Sequence, residues 1–329
     1  MPVRESPDVR LRILGQEYRR FESASTVFTA YHEPNTFDVT LPLDTELQRA
    51  IIQAKAPRCD IFVDGAPWFY GLIDEAEGDV DDESGERILR LNGQDLMKPF
   101  FRTPILETIK SRTASEWISE RARAHGLKAQ VTTSAQPIGA LVESNHSTLS
   151  NHQKEADLLQ DLNAYHGYVA RVDLDTFIWG PPPPPSLHLR WHLGQHFNHF
   201  NWRKTFDAEQ IRVEVIGWSP RKKKGLKQAK ATAGEGQYVI RLIRPGITDR
   251  AAEKLARSVL EQAERAALLV SISDLPGDTR LRGLAWDFTL FDVGAGPSQK
   301  FFPTNVTHKF TPDTHVMDVE GFNRVEAQA

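Results

Sequence analysis

Residues 59–74 read CDIFVDGAPWFYGLID, and their pattern decides the fold. Cys59, Ile61 and Val63 form an alternating apolar run, the two-residue period of a strand with one face buried. Asp64-Gly65 follows, a tight-turn signal because both residue types tolerate left-handed backbone. The chain resumes as Trp68-Phe69-Tyr70-Gly71-Leu72-Ile73, and together these pieces read as a β-hairpin. Upstream, Phe37, Val39 and Leu41 alternate with Asp38 and Thr40; downstream, Ile88, Leu89 and Leu91 resume the sheet. The first hundred residues therefore read as β-structure. Between hairpin and last strand lies an acidic stretch, Glu75, Glu77, Asp79, Asp81, Asp82, Glu83 and Glu86, broken by Gly78 and Gly85. It reads as a solvated loop between strands.

The middle of the chain changes character. Thr113 and Glu116 make a capping box, in which each side chain satisfies a free backbone N–H at a helix start. Ala114, Trp117, Ile118 and Ala122 then share one helical face, and Gly126 can end the helix. A second helix is expected from Glu155 to Tyr165, with Leu158, Leu159 and Leu162 on its apolar side and a stop near Gly167. Val169 to Trp179 looks like a hairpin around Asp173–Thr176. Pro181–Pro185 then lock φ into a stiff polyproline helix of roughly 15 Å. That run is either a ligand for a proline-binding module or a rigid connector at a domain edge, and the connector is the expectation.

Beyond it, Arg212-Val213-Glu214-Val215 alternates as a strand ending at Gly217-Trp218, and the basic run Arg221 to Lys224 reads as a solvated loop. Thr248 is a plausible N-cap for the longest helix, whose apolar face is Ala252, Leu255, Ala256, Val259, Leu260 and Ala263, continuing to Leu268. Strands return at Leu284–Phe291, Val306–Phe310 and Val316–Val319. The fold class expected is α+β, mainly β. Its divisions are 1–102, a first β-rich domain; 103–190, an α/β insertion; and 191–329, a second β-rich domain with an embedded helix at about 248–268.

Composition sets outer bounds. With 329 residues the chain has length for two or three domains of about 100–200 residues. A net charge of −4 argues against a dedicated nucleic-acid binder, which carries a basic excess. One cysteine, Cys59, leaves no intramolecular disulfide and fits assembly in a reducing cytoplasm. MPVRESPDVRLRI lacks the apolar segment of a secretion signal, and no apolar run reaches the ~20 residues that span a bilayer, so no membrane anchor is expected.

Reactive chemistry is thinly represented. His188, His192, His196 and His199 include i, i+4 pairs of the kind that ligate metals on a helix, but no helical apolar stripe accompanies them and Gly194 interrupts. They read as a polar strand or loop, and His308 as a lone structural histidine. No phosphate loop, dinucleotide fingerprint or nucleophile elbow is present. Carboxylates abound in the acidic stretch, but exposed loops rarely raise a carboxyl pKa enough for acid catalysis. No catalytic residue, metal ligand or cofactor is therefore assigned. Seven tryptophans also admit a carbohydrate-binding module, although Trp117, Trp179 and Trp218 sit in core-like patterns.

The order of these features resembles a known family. Cys59–Gly65 followed by Trp68–Asp74 is similar to the "V-x-V-x-G, then F-x-G-x-I" hairpin of phage tail hub proteins, which include the late-control protein D group and the N-terminal half of type VI secretion spike proteins. Arg90–Asp95 resembles their "G-x-D" strand end, and the helix at Ala114–Gly126 corresponds to their "ia…hGl" segment. Glu155–Leu159 through His166-Gly167 resembles their "S-D-x-x-F-L-x-x-L-A-x-x-x-G" helix, with Ala156 where serine is common. Val213–Trp218, the helix near Thr248, and Phe302–Phe310 with His308 complete the order.

The resemblance implies two related β-barrel tube domains with α/β insertions, assembling as a homotrimer whose six barrels form a pseudo-hexameric ring. It implies a non-enzymatic virion protein of the tail baseplate, assembled in the host bacterial cytoplasm. Its implied partners are the tail tube or a tube-initiator protein, baseplate wedge proteins, the tape measure protein and a separate trimeric spike, since no needle of repeated short strands is present. DNA passes only in non-specific transit. The acidic residues Glu75, Asp81, Asp82 and Glu83 and the basic residues Arg221, Lys222, Lys223 and Lys224 are the expected subunit-interface candidates. The rivals are the hub of a phage-derived bacterial contractile injection system and a tail-associated cell-wall hydrolase or peptidase.

Overall fold

Asp64 and Gly65 both adopt left-handed backbone, with φ of 51° and 77°, and close the predicted hairpin. In the computed structural model it pairs β5 (Arg58–Val63) with β6 (Ala66–Val80). The structure describes residues 6–30, 33–80, 87–105, 112–134, 154–218, 229–245, 247, 249–265, 268–294 and 300–323. Before the hairpin come β1 (Val9–Ile13), β2 (Gln16–Tyr18), β3 (Ser23–Phe28), β4 (Thr36–Pro42) and α1 (Thr45–Gln53); after it come β7 (Arg87–Asp95) and α2 (Lys98–Arg102). The two helices correct the all-β reading of the first hundred residues. Asp44 caps α1 by accepting from the Glu46 and Leu47 amides, and Leu47 and Ile51, one helical turn apart, are buried.

The acidic stretch is also corrected. Strand β6 runs 15 residues, so Glu75, Glu77 and Asp79 are strand residues and not part of a loop. They stand opposite Asn92, Arg90 and Ile88 of β7 after a register shift between Ile73 and Glu75. The backbone ladder holds the segment although every β6 side chain from Asp74 to Val80 is exposed. Period-2 hydrophobicity could not reveal a strand in which neither face is buried.

The middle segment contains α3 (Ala114–Ala124), β8 (Lys128–Val131), α4 (Glu155–His166), β9 (Val169–Asp173) and β10 (Thr176–Gly180). The Thr113–Glu116 capping box forms as expected, and Gly167 ends α4 at φ 66°. Strands β8, β10 and β9 make a three-stranded sheet, and the Asp173–Thr176 hairpin is present. Its core is aromatic, with Trp117, Trp179, Phe100 and Phe177 fully buried. Buried Glu155 ties α4 to α3 through His125 at 2.6 Å and Arg121 at 3.5 Å.

After the prolines come β11 (His188–His192), β12 (Phe200–Lys204), β13 (Ile211–Trp218), β14 (Lys230–Ala233), β15 (Tyr238–Pro245), α5 (Asp249–Arg265) and β16 (Leu268–Pro276). The last three strands are β17 (Asp287–Phe291), β18 (Lys300–Phe310) and β19 (His315–Asn323). Here the expectation of a helix embedded in the second β-rich domain changes. Helix α5 packs on its own sheet, β14-β13-β15, around Val213, Val215, Ala252, Leu255 and Ala256. It stops at Arg265, and Leu268 opens β16. Thr248 lies outside the described residues.

All remaining strands join one 13-stranded sheet, whose main path is β12-β16-β19-β18-β3-β4-β7-β6-β5-β1-β2. The expected pair of barrels is thus not drawn as two closed rings: among the described residues no strand pairing closes this path. The two β-rich halves meet where β3 pairs with β18, from Ala24 opposite Phe310 to Phe28 opposite Val306. Two apolar cores lie against the sheet, one around Leu11, Val39, Ile61 and Phe69, the other around Ile272, Phe288, Phe301 and Val319. Burying each large side chain contributes roughly 1.5–3 kcal/mol.

His308 sits at that seam, fully buried, its ring 4.8 Å from Trp68 and stacked on Phe310. Its Nδ1 lies 3.0 Å from Nε2 of His315, and burial pushes its pKa down to about 3. Trp68 donates from Nε1 to Thr26 at 3.0 Å, leaving no indole dipole unpaired across the seam. Arg282 joins three parts of the fold. It donates to the Trp68 carbonyl and to Asp173, both at 2.7 Å.

Candidate assembly surface

From β12 to β6 the sheet path is an unbroken run, and all seven of its pairings are antiparallel. Side chains alternate between faces along every strand, so the register sorts this run into two surfaces. One surface covers the two cores. On β3 and β4 it carries Ala24, Thr26, Phe28, Phe37, Val39 and Leu41, all buried. The other is polar, and its rows cross the seam without a break. One row runs Asp318, Thr307, Val27, Thr36, Gln94; the next runs Val316, Lys309, Ser25, Asp38, Asn92, Glu75; a third runs Ser23, Thr40, Arg90, Glu77.

Small hydroxyl and amide side chains dominate these rows, and the charges are mixed and partly paired. Lys309 pairs with Asp318, Asn305 donates to Glu320 at 3.0 Å, and Asn92 donates to Glu75 at 3.2 Å. Arg90 stands opposite Glu77.

The run has two free edges. Strand β12 pairs only with β16, and β6 beyond Leu72 pairs only with β7. The β6 edge is acidic through Glu75, Glu77 and Asp79. The β12 edge reads Asn201, Trp202, Arg203, Lys204 and is basic, with Trp202 59% exposed and Lys204 over the Phe206 ring. Of the predicted interface residues, Glu75 thus lies on the polar wall at a free edge. Asp81, Asp82, Glu83, Arg221, Lys222, Lys223 and Lys224 lie outside the described residues. Sequence reasoning missed Trp202 and Arg203. The available signal was the alternation of Phe200 and Trp202 with Asn201 and Arg203.

The four histidines are spread over a strand and a turn. His188 and His192 of β11 face Asp287 and Asp292, while His196 accepts from the His192 amide at 3.0 Å. Lys300 also reaches Asp287, at 2.9 Å. Among the described residues no group of three or more His, Cys, Asp or Glu side chains is placed to hold a metal ion. A cleft of about 930 Å³ lies where the polyproline run faces α5, lined by Pro182, Pro183, Lys254, Arg257, Trp286 and Phe302. Burial and the Lys254 charge together lower the pKa of His166 on its wall. Asp95, at the end of β7, accepts from the Asn35 amide, the Asn35 side chain and the Met97 amide, yet burial pushes its pKa up to about 7.

These features define a mainly β chain built on one large sheet, and comparison with solved structures identifies the fold. The tail protein of Neisseria meningitidis MC58 superposes with a TM-score of 0.74 at 15% identity, over 97% of both chains. The 43 kDa tail protein of prophage MuSo2 from Shewanella oneidensis gives 0.71 at 12% identity, over 98% of this chain and 100% of that one. The E. coli c3393 protein, a type VI secretion component described as structurally similar to T4 bacteriophage tail proteins gp27 and gp5, gives 0.60 at 10% identity, over 96% of this chain and 77% of that one. No protein-family model matches the sequence, and no curated protein matches it. The chain has the fold of these phage-tail and secretion-system proteins along nearly its whole length.

Proposed function

We propose that this chain is the structural baseplate hub of a contractile phage tail. Three copies form a ring in which each contributes two β-rich tube domains, about 1–102 and 191–329, with 103–190 set outside as an α/β insertion. The ring adapts the six-fold tail tube, or its initiator, to a separate three-fold spike. Wedge proteins surround it, and the tape measure protein and then DNA pass through it without specific binding. The protein works in the virion tail after assembly in the bacterial cytoplasm, and it catalyses nothing.

One observation carries the reading: a single sheet spans both β-rich halves, apolar toward two cores and polar on the other face. A wide sheet with one polar face and two open edges fits a collar subunit, whose neighbours would cover the edges. The whole-length likeness to tail proteins supports the same reading. The likeness to a type VI secretion component supports the hub of a phage-derived injection system as the second reading. Sedimentation or light scattering of the purified chain, alone and with tube and spike partners, tests both. Three copies per particle are expected; a chain that stays single at every concentration and with every partner is not a hub.

A further inference from the structure

The cleft beside the polyproline run has two unlike walls, and its floor breaks the pattern of the sheet beneath it. Along β19 the polar face carries Asp318, Glu320 and then Phe322, because alternate residues of a strand share a face. Phe322 stands opposite Leu269 of β16 and opposite Phe302 of β18. The polar rows thus end in an apolar row of three half-buried side chains, all of which line the cleft. Pro182 and Pro183 extend this apolar lining.

The facing wall is the solvent side of α5. Arg250, Lys254 and Arg257 recur there at intervals of four and three residues, on one helical face, and all three are exposed. Among the described residues none of the three is ion-paired with a carboxylate. Glu253 and Glu261 share the wall, and the cations outnumber them. The field of this wall reaches His166, whose pKa is lowered by burial and by the Lys254 charge.

From these walls we infer that the cleft binds an extended acidic segment of another protein, one in which apolar residues alternate with carboxylates. Successive side chains of an extended segment point to opposite sides. A segment lying along the cleft turns one set to Leu269, Phe322 and Phe302 and the other set to α5. The spacing agrees. Carboxylates two residues apart lie about 6.5 Å apart along a strand. The three cations lie about 6 Å and about 4.5 Å apart along the helix axis, within the reach of long, flexible side chains. A nucleic acid would meet the cations and leave the apolar row uncovered, and a purely apolar ligand would leave the cations unused. The inference goes beyond the hub reading and does not rest on it, because both walls belong to a single copy.

Fluorescence anisotropy with the full chain tests it. A labelled octapeptide alternating glutamate and leucine should bind saturably and more weakly as salt rises, since exposed charges are screened. Lys254→Glu with Arg257→Glu should weaken that binding at least about tenfold, the loss of more than one charge contact, with circular dichroism showing the variant folded. An octapeptide alternating glutamate and serine should lose a similar factor against the parent chain, because it offers the apolar row nothing. Absence of saturable binding overturns the inference and leaves the hub reading standing. Equal binding by a lysine–leucine octapeptide or by a single-stranded DNA octamer overturns it too, as does binding unchanged by the charge reversal. Binding that appears only after deletion of residues 324–329 would give the cleft to the chain's own last residues, and the inference would be wrong.

Discussion

The molecule contains two small α/β units built to one plan with different materials. Each is a three-stranded sheet whose central strand has one parallel and one antiparallel neighbour: β10 between β8 and β9, β13 between β15 and β14. The first fills its core with aromatics. Phe100 stacks on Phe177 with ring centres 4.7 Å apart, and Trp179 donates to Asn163 at 2.7 Å. The second uses valines and alanines under α5, and its outer face carries exposed Val239 and Ile243 around Glu214, whose pKa is lowered mainly by its hydrogen bond from Arg241. Arg282 clamps the first unit to the sheet through Asp173. The same topology is thus rigidly attached in one place and presents a half-apolar face in the other, a difference made by side chains alone.

The comparison can be broken by emptying each core. Trp179→Ala should remove about 3–5 kcal/mol, since it deletes a large buried ring and strands Asn163. A urea midpoint within error of the parent would show that the aromatic core does not stabilise the first unit. Leu255→Ala should lose less, about 2–3 kcal/mol, because the alanines beside it leave a smaller void to open. If the second variant is the weaker one, packing volume does not govern the contrast.

Acid titration sharpens the comparison by isolating the large sheet, where Asp95 and His308 both lie. His308, at about 3 instead of 6.5, binds its proton later in the folded state than in the unfolded one. Its contribution is full above pH 6.5 and declines as pH falls toward 3. Asp95, at about 7 instead of 3.8, has the opposite sign: its contribution is full below 3.8 and is lost as pH rises through 7. Each slope is about 1.4 kcal/mol per pH unit, so the parent should be nearly level between pH 4 and 6.5. Asp95→Asn should lose stability on acidification across that window, and His308→Phe should lose it as pH rises. Parallel curves for all three proteins would refute the assignment.

The smallest effect lies between the two units. Gly167 ends α4 in left-handed backbone, and a Cβ added there would meet the Lys254 side chain of α5 at 3.9 Å. Gly167→Ala should cost about 1 kcal/mol of backbone strain without a clash. Calorimetry of the variant checks this. A much larger loss would mean that the two units are coupled more tightly than their contacts indicate.

The first α/β unit was legible in the sequence because its signals are local. A capping box, a three-leucine stripe and the glycine after His166 each act within one or two turns. The second was misplaced because a long amphipathic helix does not say which sheet it covers. Residues Val213 and Val215 belong to α5, while Val270 and Ile272, equally alternating, belong to the large sheet. Of the predicted interface, Glu75 was visible through charge alone. Trp202 and Arg203 were not, since nothing local marks a strand as the last one in a sheet.

The sequence by itself determined the mainly β class, the hairpin at Asp64-Gly65, the capping box of α3, the glycine stop of α4 and the buried character of Cys59, because turn geometry, capping and residue burial depend on near neighbours. Only the tertiary structure decided that β3 meets β18, that the polar residues of distant strands share one wall, and that the wall ends in an acidic and a basic edge. Strand order is set by contacts between residues far apart in the chain, and no short-range periodicity carries that information.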